Sequence, residues 1–183
     1  YVSNRYMGDT LRRKADITCE NGYFGWYFAS VYQLNFVLDI IYQTSPNKPV
    51  ILSEFGAGAK YGVRDPNIKF SEDNQARIIS YTIQVLNSKP YVAGWFVWLY
   101  RDFRSHLRTN QYQQGYNRKG LVDEKNRKKL IARVMPEYVD KKLPNLRNYR
   151  GLAHFFSLAM RWVERFFFRF FAPIGYKVQR AMN

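Results

Sequence analysis

An α/β fold built on parallel strands is predicted from three features of the 183-residue sequence. Short apolar runs bounded by turn residues recur along it, stretches with helical spacing of apolar residues separate them, and the side chains best suited to chemistry cluster just after the runs. Continuous apolar runs suit strands covered on both faces, and strands alternating with helices imply right-handed βαβ units in one parallel sheet, open or closed.

The elements follow in order. Tyr1 to Asn4 reads as the end of a first strand. Ala15-Asp16-Ile17-Thr18-Cys19 reads as a second, leading into the aromatic cluster Asn21-Gly22-Tyr23-Phe24-Gly25-Trp26-Tyr27. Phe28 to Gln43 then carries Val31, Leu34, Phe36, Val37, Leu38, Ile40 and Ile41 on a broad apolar helical face. Pro49 to Ser53 is a third strand, running into Glu54-Phe55-Gly56-Ala57-Gly58. Ser71 is placed as an N-cap with Glu72 and Asp73 in the first turn, where a carboxylate opposes the helix dipole, and the apolar stripe continues to about Asn87. Tyr91 to Trp98 is a fourth strand, leading into Arg101-Asp102-Phe103. Lys125 to Val139 is a further helix, interrupted by Pro136.

Composition narrows the function classes. Hydrophobic residues at 46% and charged residues at 23% exclude wholesale disorder. The single cysteine, Cys19, excludes an intramolecular disulfide framework and a Cys-rich zinc site. No long charge-free apolar run suggests a transmembrane helix. Tyr1 to Arg5 read as neither a signal peptide nor an initiator sequence, so the chain is expected to begin partway through a longer one. The formal charge of +15 is uneven: the 43 residues after Asp140 hold nine basic residues against Glu164, hence +8. Such an excess suits nucleic acid, anionic lipid or an acidic partner; with no nucleic-acid recognition module in the sequence, no nucleic-acid partner is expected.

Asn4, Asn21, Tyr23, Glu54, Trp98 and Asp102 are all expected just past a strand's carboxyl end, where the loops of a parallel sheet converge on one crevice. A sheet of so few βα units leaves open edges, so further strands are expected from a preceding half or from a second copy.

These residues resemble glycoside hydrolase family 2. Asp16 to Tyr27 looks like the segment after the sixth strand of that family's barrel, and Lys48 to Ala57 like its nucleophile segment on the seventh. Phe70 to Gln75 is similar to the following helix start, Gly94-Trp95-Phe96-Val97-Trp98 with Asp102-Phe103 to the eighth strand, and Asn117 to Val122 to the loop after it. The motifs occur in the family's order over roughly residues 1–134, nearest the β-glucuronidase and β-galactosidase branch. The resemblance implies the C-terminal half of a (β/α)8 TIM barrel, strands 5–8, over residues 1–140, followed by a basic, aromatic helical tail over 141–183.

By that resemblance Glu54 is the nucleophile of a retaining β-glycosidase, one of two carboxyl groups that work about 5–5.5 Å apart. Tyr23 would hydrogen-bond the nucleophile or the sugar. Trp98 would stack on the sugar ring, and Asn21 and Tyr27 would line the site. Asn117 and Lys119 match the Asn-x-Lys pair that binds the carboxylate in uronide-cleaving members, although the pattern also occurs in members assigned to galactosides. The chemistry calls for no cofactor and no metal. Three departures stand out. The family's acid/base Glu, on the fourth strand, would precede residue 1; Leu99 stands where the family usually has Asn; and Gln113 stands where well-known glucuronidases have an Arg.

The tail does not match the family. Residues 149–171 alternate apolar and aromatic side chains with Arg161, Arg165 and Arg169, four apart and therefore in one helical stripe. Three arginines oppose a membrane-spanning role, leaving packing against the barrel or another subunit, or lying at a membrane surface. The rival to the hydrolase reading is an inactive barrel remnant that binds a membrane or a protein through this tail.

Overall fold

The computed structural model describes residues 2–4, 14–44 and 48–159. Four strands, β1 (Val2–Asn4), β2 (Ile17–Asn21), β3 (Val50–Phe55) and β4 (Val92–Val97), form one sheet in chain order, each pair parallel. Parallel neighbours need crossovers, and α1 (Leu34–Thr44) and α2 (Glu72–Asn87) supply those between β2, β3 and β4. A 3-10 turn, Val31–Gln33, leads into α1; Ser30 caps it by accepting the Tyr32 N–H while the Gln33 side chain accepts the Ser30 N–H.

One core joins sheet and helices. Leu34, Leu38 and Ile41 of α1, Val50, Leu52 and Phe55 of β3, and Ile79, Ile83 and Leu86 of α2 are buried together with Ile131. Side chains of this kind contribute about 1.5–3 kcal/mol each on full burial, which makes β3 the best-anchored strand. Cys19 is buried on β2, and burial pushes its thiol up from the usual range.

Strand ends differ from the sequence reading. β2 starts and ends two residues later, and β3 continues through Glu54 to Phe55, so Asn21 and Glu54 are strand residues rather than the first residues of loops. The ladder carries the strands past their apolar runs: Asn21 pairs with Glu54, and the Gly22 N–H donates to the Glu54 carbonyl at 2.8 Å. Asn4 likewise closes β1 as a strand residue.

The helix expected over 125–139 shrinks to α3 (Leu130–Val134) with a 3-10 turn at Met135–Glu137. Asp123 explains the loss. Its carboxylate accepts from the backbone N–H groups of Lys125 and Arg127 and from the Arg127 side chain, offering the backbone a turn in place of a helix. A two-stranded hairpin absent from the sequence reading, β5 (Phe103–Arg104) with β6 (Tyr116–Asn117), rises after β4.

Residues 138–159 lie over the ends of α1 and α2. The Asn87 amide donates to the Val139 carbonyl at 2.6 Å, the Leu143 N–H donates to Ser88, and the Asn35 amide donates to the Arg147 carbonyl. Residues 150–159 are helical, and Phe36 of α1 meets Tyr149 and Phe156 edge-on. The remainder of the expected tail helix, including Arg161, Arg165 and Arg169, lies outside the described residues.

Candidate active site

The carboxyl ends of β2, β3 and β4 converge on Glu54. Its Oε2 accepts a 2.7 Å hydrogen bond from the hydroxyl of Tyr23, which stands two residues past β2. The Tyr23 and Tyr27 rings lie 5.2 Å apart, and Lys119 Nζ donates to the Tyr27 hydroxyl at 2.6 Å. Lys119 thus arrives from the loop after β6 beside the side chains of β2 and β3. Its ammonium sits over the rings of Tyr27, Tyr23 and Trp26, at 4.7, 5.5 and 5.9 Å from their centroids, within the reach of cation–π attraction.

Electrostatics at this corner follow from burial. Lys119 is 2% exposed, and desolvation holds its ammonium below the ordinary lysine range; the Tyr27 hydrogen bond and the Glu54 charge act the other way without cancelling it. Burial works to raise the Tyr27 phenol, but its hydrogen bonds to Lys119 and Arg108 outweigh that and leave it below its usual range. Arg108 Nη2 donates to the Tyr27 hydroxyl at 3.2 Å, so two cations meet at one phenol oxygen.

The remaining expected residues are placed as follows. Asn21 Oδ1 accepts from Ser53 Oγ at 2.8 Å, holding its side chain against the strand that carries Glu54. Asn117 is buried and its Oδ1 accepts the Lys119 N–H at 3.3 Å, which fixes the loop from which Lys119 projects. Trp98 is 39% exposed just beyond β4; its N–H donates to the Phe55 carbonyl, and the next residue, Leu99, donates to the Lys119 carbonyl. Backbone bonds therefore tie Trp98 and Leu99 to the two sides of the corner. Asp102 does not belong there. It is buried, with Oδ1 accepting from the Gly120 N–H at 2.7 Å and from Lys129 Nζ at 2.8 Å, and Oδ2 facing Arg118 at 3.4 Å. Desolvation pushes Asp102 up and Lys129 down, the pattern of an internal ion pair.

Two glycines and one glutamine draw the loops together. A Cβ on Gly56 would run into the Trp98 carbonyl oxygen, and one on Gly58 would meet the Trp26 ring at 2.9 Å, so only glycine lets the chain after β3 pass this close. Gln75, in the first turns of α2, donates to the carbonyls of Ala57 and Gly120 at 2.8 and 3.1 Å. The loop after Glu54 and the loop after Lys119 thus hang on one side chain. Ser71 caps α2 by accepting the Asn74 N–H at 3.1 Å. Glu72 spends its carboxylate on the N–H groups of Gly62 and Leu130 rather than on the helix dipole alone.

Sequence reasoning missed Arg108, Ser53 and Gln75. No local pattern marks Arg108, whose partner Tyr27 is 81 residues away. Among the described residues, no group of His, Cys, Asp and Glu is arranged to hold a metal ion.

No family model matches the chain. Among curated proteins it is similar to β-glucuronidase of Mus musculus, 34% identical over 149 residues, and to that of Streptococcus agalactiae, 27% identical over 148. The first match takes in 75% of this chain, and the chain spans about a fifth of the length of that relative (22%). Among solved structures, a family 2 β-galacturonidase from Eisenbergiella tayi bound to galacturonate superposes with a TM-score of 0.66 at 28% identity, covering 75% of this chain and 26% of that one. A β-glucuronidase from Faecalibacterium prausnitzii superposes at 0.64 with 27% identity, over 80% and 25%. Sequence and backbone point to the same enzymes, and the chain belongs to glycoside hydrolase family 2, corresponding to a C-terminal part of it.

Proposed function

We propose that this chain is the nucleophile-bearing part of a retaining β-glycosidase that acts on β-linked uronides. In this reading residues 1–140 form the C-terminal half of a (β/α)8 barrel, strands 5–8, and 141–183 an appended basic tail. The chain of four parallel strands with the acidic residue near the end of the third supports it. Glu54 attacks the anomeric carbon, the glycosidic C–O bond breaks, and the leaving oxygen takes a proton from a second carboxylic acid. Water then cleaves the glycosyl ester. That second acid belongs to the preceding half, so this chain alone should not turn over substrate.

The observation that carries the reading is the 2.7 Å bond from Tyr23 to Glu54 beside a buried Lys119. Tyr23 holds one carboxylate oxygen and leaves the other for the sugar. Lys119, Asn117 and Tyr27 would hold the sugar acid, with Arg108 as a second cation beside Tyr27; a concentrated positive corner favours a uronate over a neutral hexose. Asn21 and Trp98 would complete the wall, the indole supplying a face for the sugar ring. The relatives it resembles are a β-glucuronidase and a β-galacturonidase, both named for sugar acids.

The test is hydrolysis of a fluorogenic β-glucuronide, β-galacturonide and β-galactoside by the longer protein that contains this chain, with Glu54→Gln beside it. The variant should lose about 10³-fold or more in kcat on the preferred substrate. Unchanged turnover overturns the nucleophile, and preference for the galactoside overturns the uronide.

A further inference from the structure

We propose that the face built by residues 141–159 over the ends of α1 and α2 docks on an anionic membrane surface. It is independent of the glycosidase reading and lies on another part of the molecule. Lys89 to Tyr91 precede β4, whereas Glu54 is near the end of β3, and Val50 pairs with Val92. The two sites are therefore separated by roughly 16 Å along the sheet, at about 3.3 Å per residue.

Three observations meet on this face. The first is charge. Residues 141–159 contain Lys141, Lys142, Arg147 and Arg150 and no Asp or Glu. Of the groups facing them, Asp39 is already engaged: its carboxylate takes Lys89 Nζ at 2.8 Å, the Tyr91 hydroxyl at 2.6 Å and the Tyr149 N–H at 3.3 Å. The second is an open cavity of about 320 Å³ lined by Asp39, Lys89, Tyr91, Arg147 and Arg150 among others, three cations against that one committed carboxylate. An anionic headgroup fits this imbalance, since it is the charge the cavity lacks.

The third is the helix over 150–159. Ala153 and Ser157, one turn apart, are fully buried, and Phe156 meets the Phe36 ring of α1. On the other side Leu152, Phe155 and Leu158 stand 52%, 67% and 49% exposed. A helix at a water-facing surface normally turns polar residues outward, and here large apolar ones point out beside a basic cluster. That combination is what binds an interface plane: apolar side chains enter the boundary between headgroups and acyl chains while cations meet the phosphates. No helix among the described residues is long and apolar enough to cross a membrane. The sequence beyond Ala159 keeps the same composition, with Trp162, Phe166, Phe167, Phe170 and Phe171 among Arg161, Arg165 and Arg169.

Flotation of the full chain with phosphatidylcholine vesicles, with and without phosphatidylserine, tests this. Two variants accompany it: Leu152→Asp with Phe155→Asp, and Arg147→Gln with Arg150→Gln. The parent chain should float with the anionic vesicles and not with the neutral ones, and each variant pair should lower the bound fraction about 5-fold or more, as should raised salt. Phe155→Gln alone, at the most exposed of these side chains, keeps the readout should the double aspartate change unfold the chain. Equal flotation with both vesicle types, or variants that bind like the parent, overturns the proposal. So does a dimer in light scattering that the aspartate variant dissolves while no vesicle binding occurs, which assigns the face to a second copy.

Discussion

Under the proposed function Tyr23 and Lys119 would act on opposite ends of a sugar acid, and their contributions separate by measurement. The Tyr23 hydroxyl donates to a carboxylate, a charge-assisted bond of about 1.5–3 kcal/mol. If the proposed function holds, Tyr23→Phe in the longer protein should therefore lower kcat on a uronide about 10- to 100-fold with little change in KM; steady-state kinetics check it. In the same proposal Lys119 bears on binding. A lysine is charged below its pKa, and burial lowers that of Lys119, so its charge fades at a lower pH than an exposed lysine's would. KM for a uronide should accordingly rise on the alkaline limb of the pH profile, while KM for a neutral galactoside stays flat there. Parallel profiles for the two substrates would contradict a carboxylate-binding role. The meeting of Tyr23 with Glu54, and of Asn117 with Lys119, was legible because each sits in a short motif beside a strand end. Arg108 was not, since it meets Tyr27 only after the hairpin of β5 and β6 folds the chain back.

Among the elements, α2 and the segment after it show what a linear reading misses. The existence and phase of α2 were legible from Ser71, its acidic first turn and an apolar stripe through Leu86. The role of Gln75 was not, because its partners lie 18 and 45 residues away. Asp102 was placed at the rim of the crevice by its position after β4, yet it is neutralised by Lys129, 27 residues further along. Both side chains of that pair are fully buried. Removing one partner leaves the other charged in a dry interior, so Lys129→Met should cost about 3–5 kcal/mol in chemical denaturation. Pairing it with Asp102→Leu should return part of the loss. A double variant no more stable than the single would show that the two groups are not coupled.

At the scale of the molecule, the alternation of apolar runs and helices conveyed a parallel sheet, whereas the exact strand limits depend on pairing between segments some thirty residues apart, as between Asn21 and Glu54. Among the described residues β4 has no strand on its far side, and Phe96 within it and Tyr100 just after it are 64% and 72% exposed. This is where further strands of the proposed barrel would be received. The sheet also carries its own reporter. Cys19 is the single cysteine of the chain, enclosed on β2 between β1 and β3, and burial disfavours its reactive thiolate. Alkylation of the unaltered chain should thus be slow in native buffer and accelerate only as denaturant parts the strands, and a rate matching that of an unfolded peptide thiol would contradict the enclosure. Pulse labelling followed by mass spectrometry could then time the opening of this sheet from within, with no engineered probe.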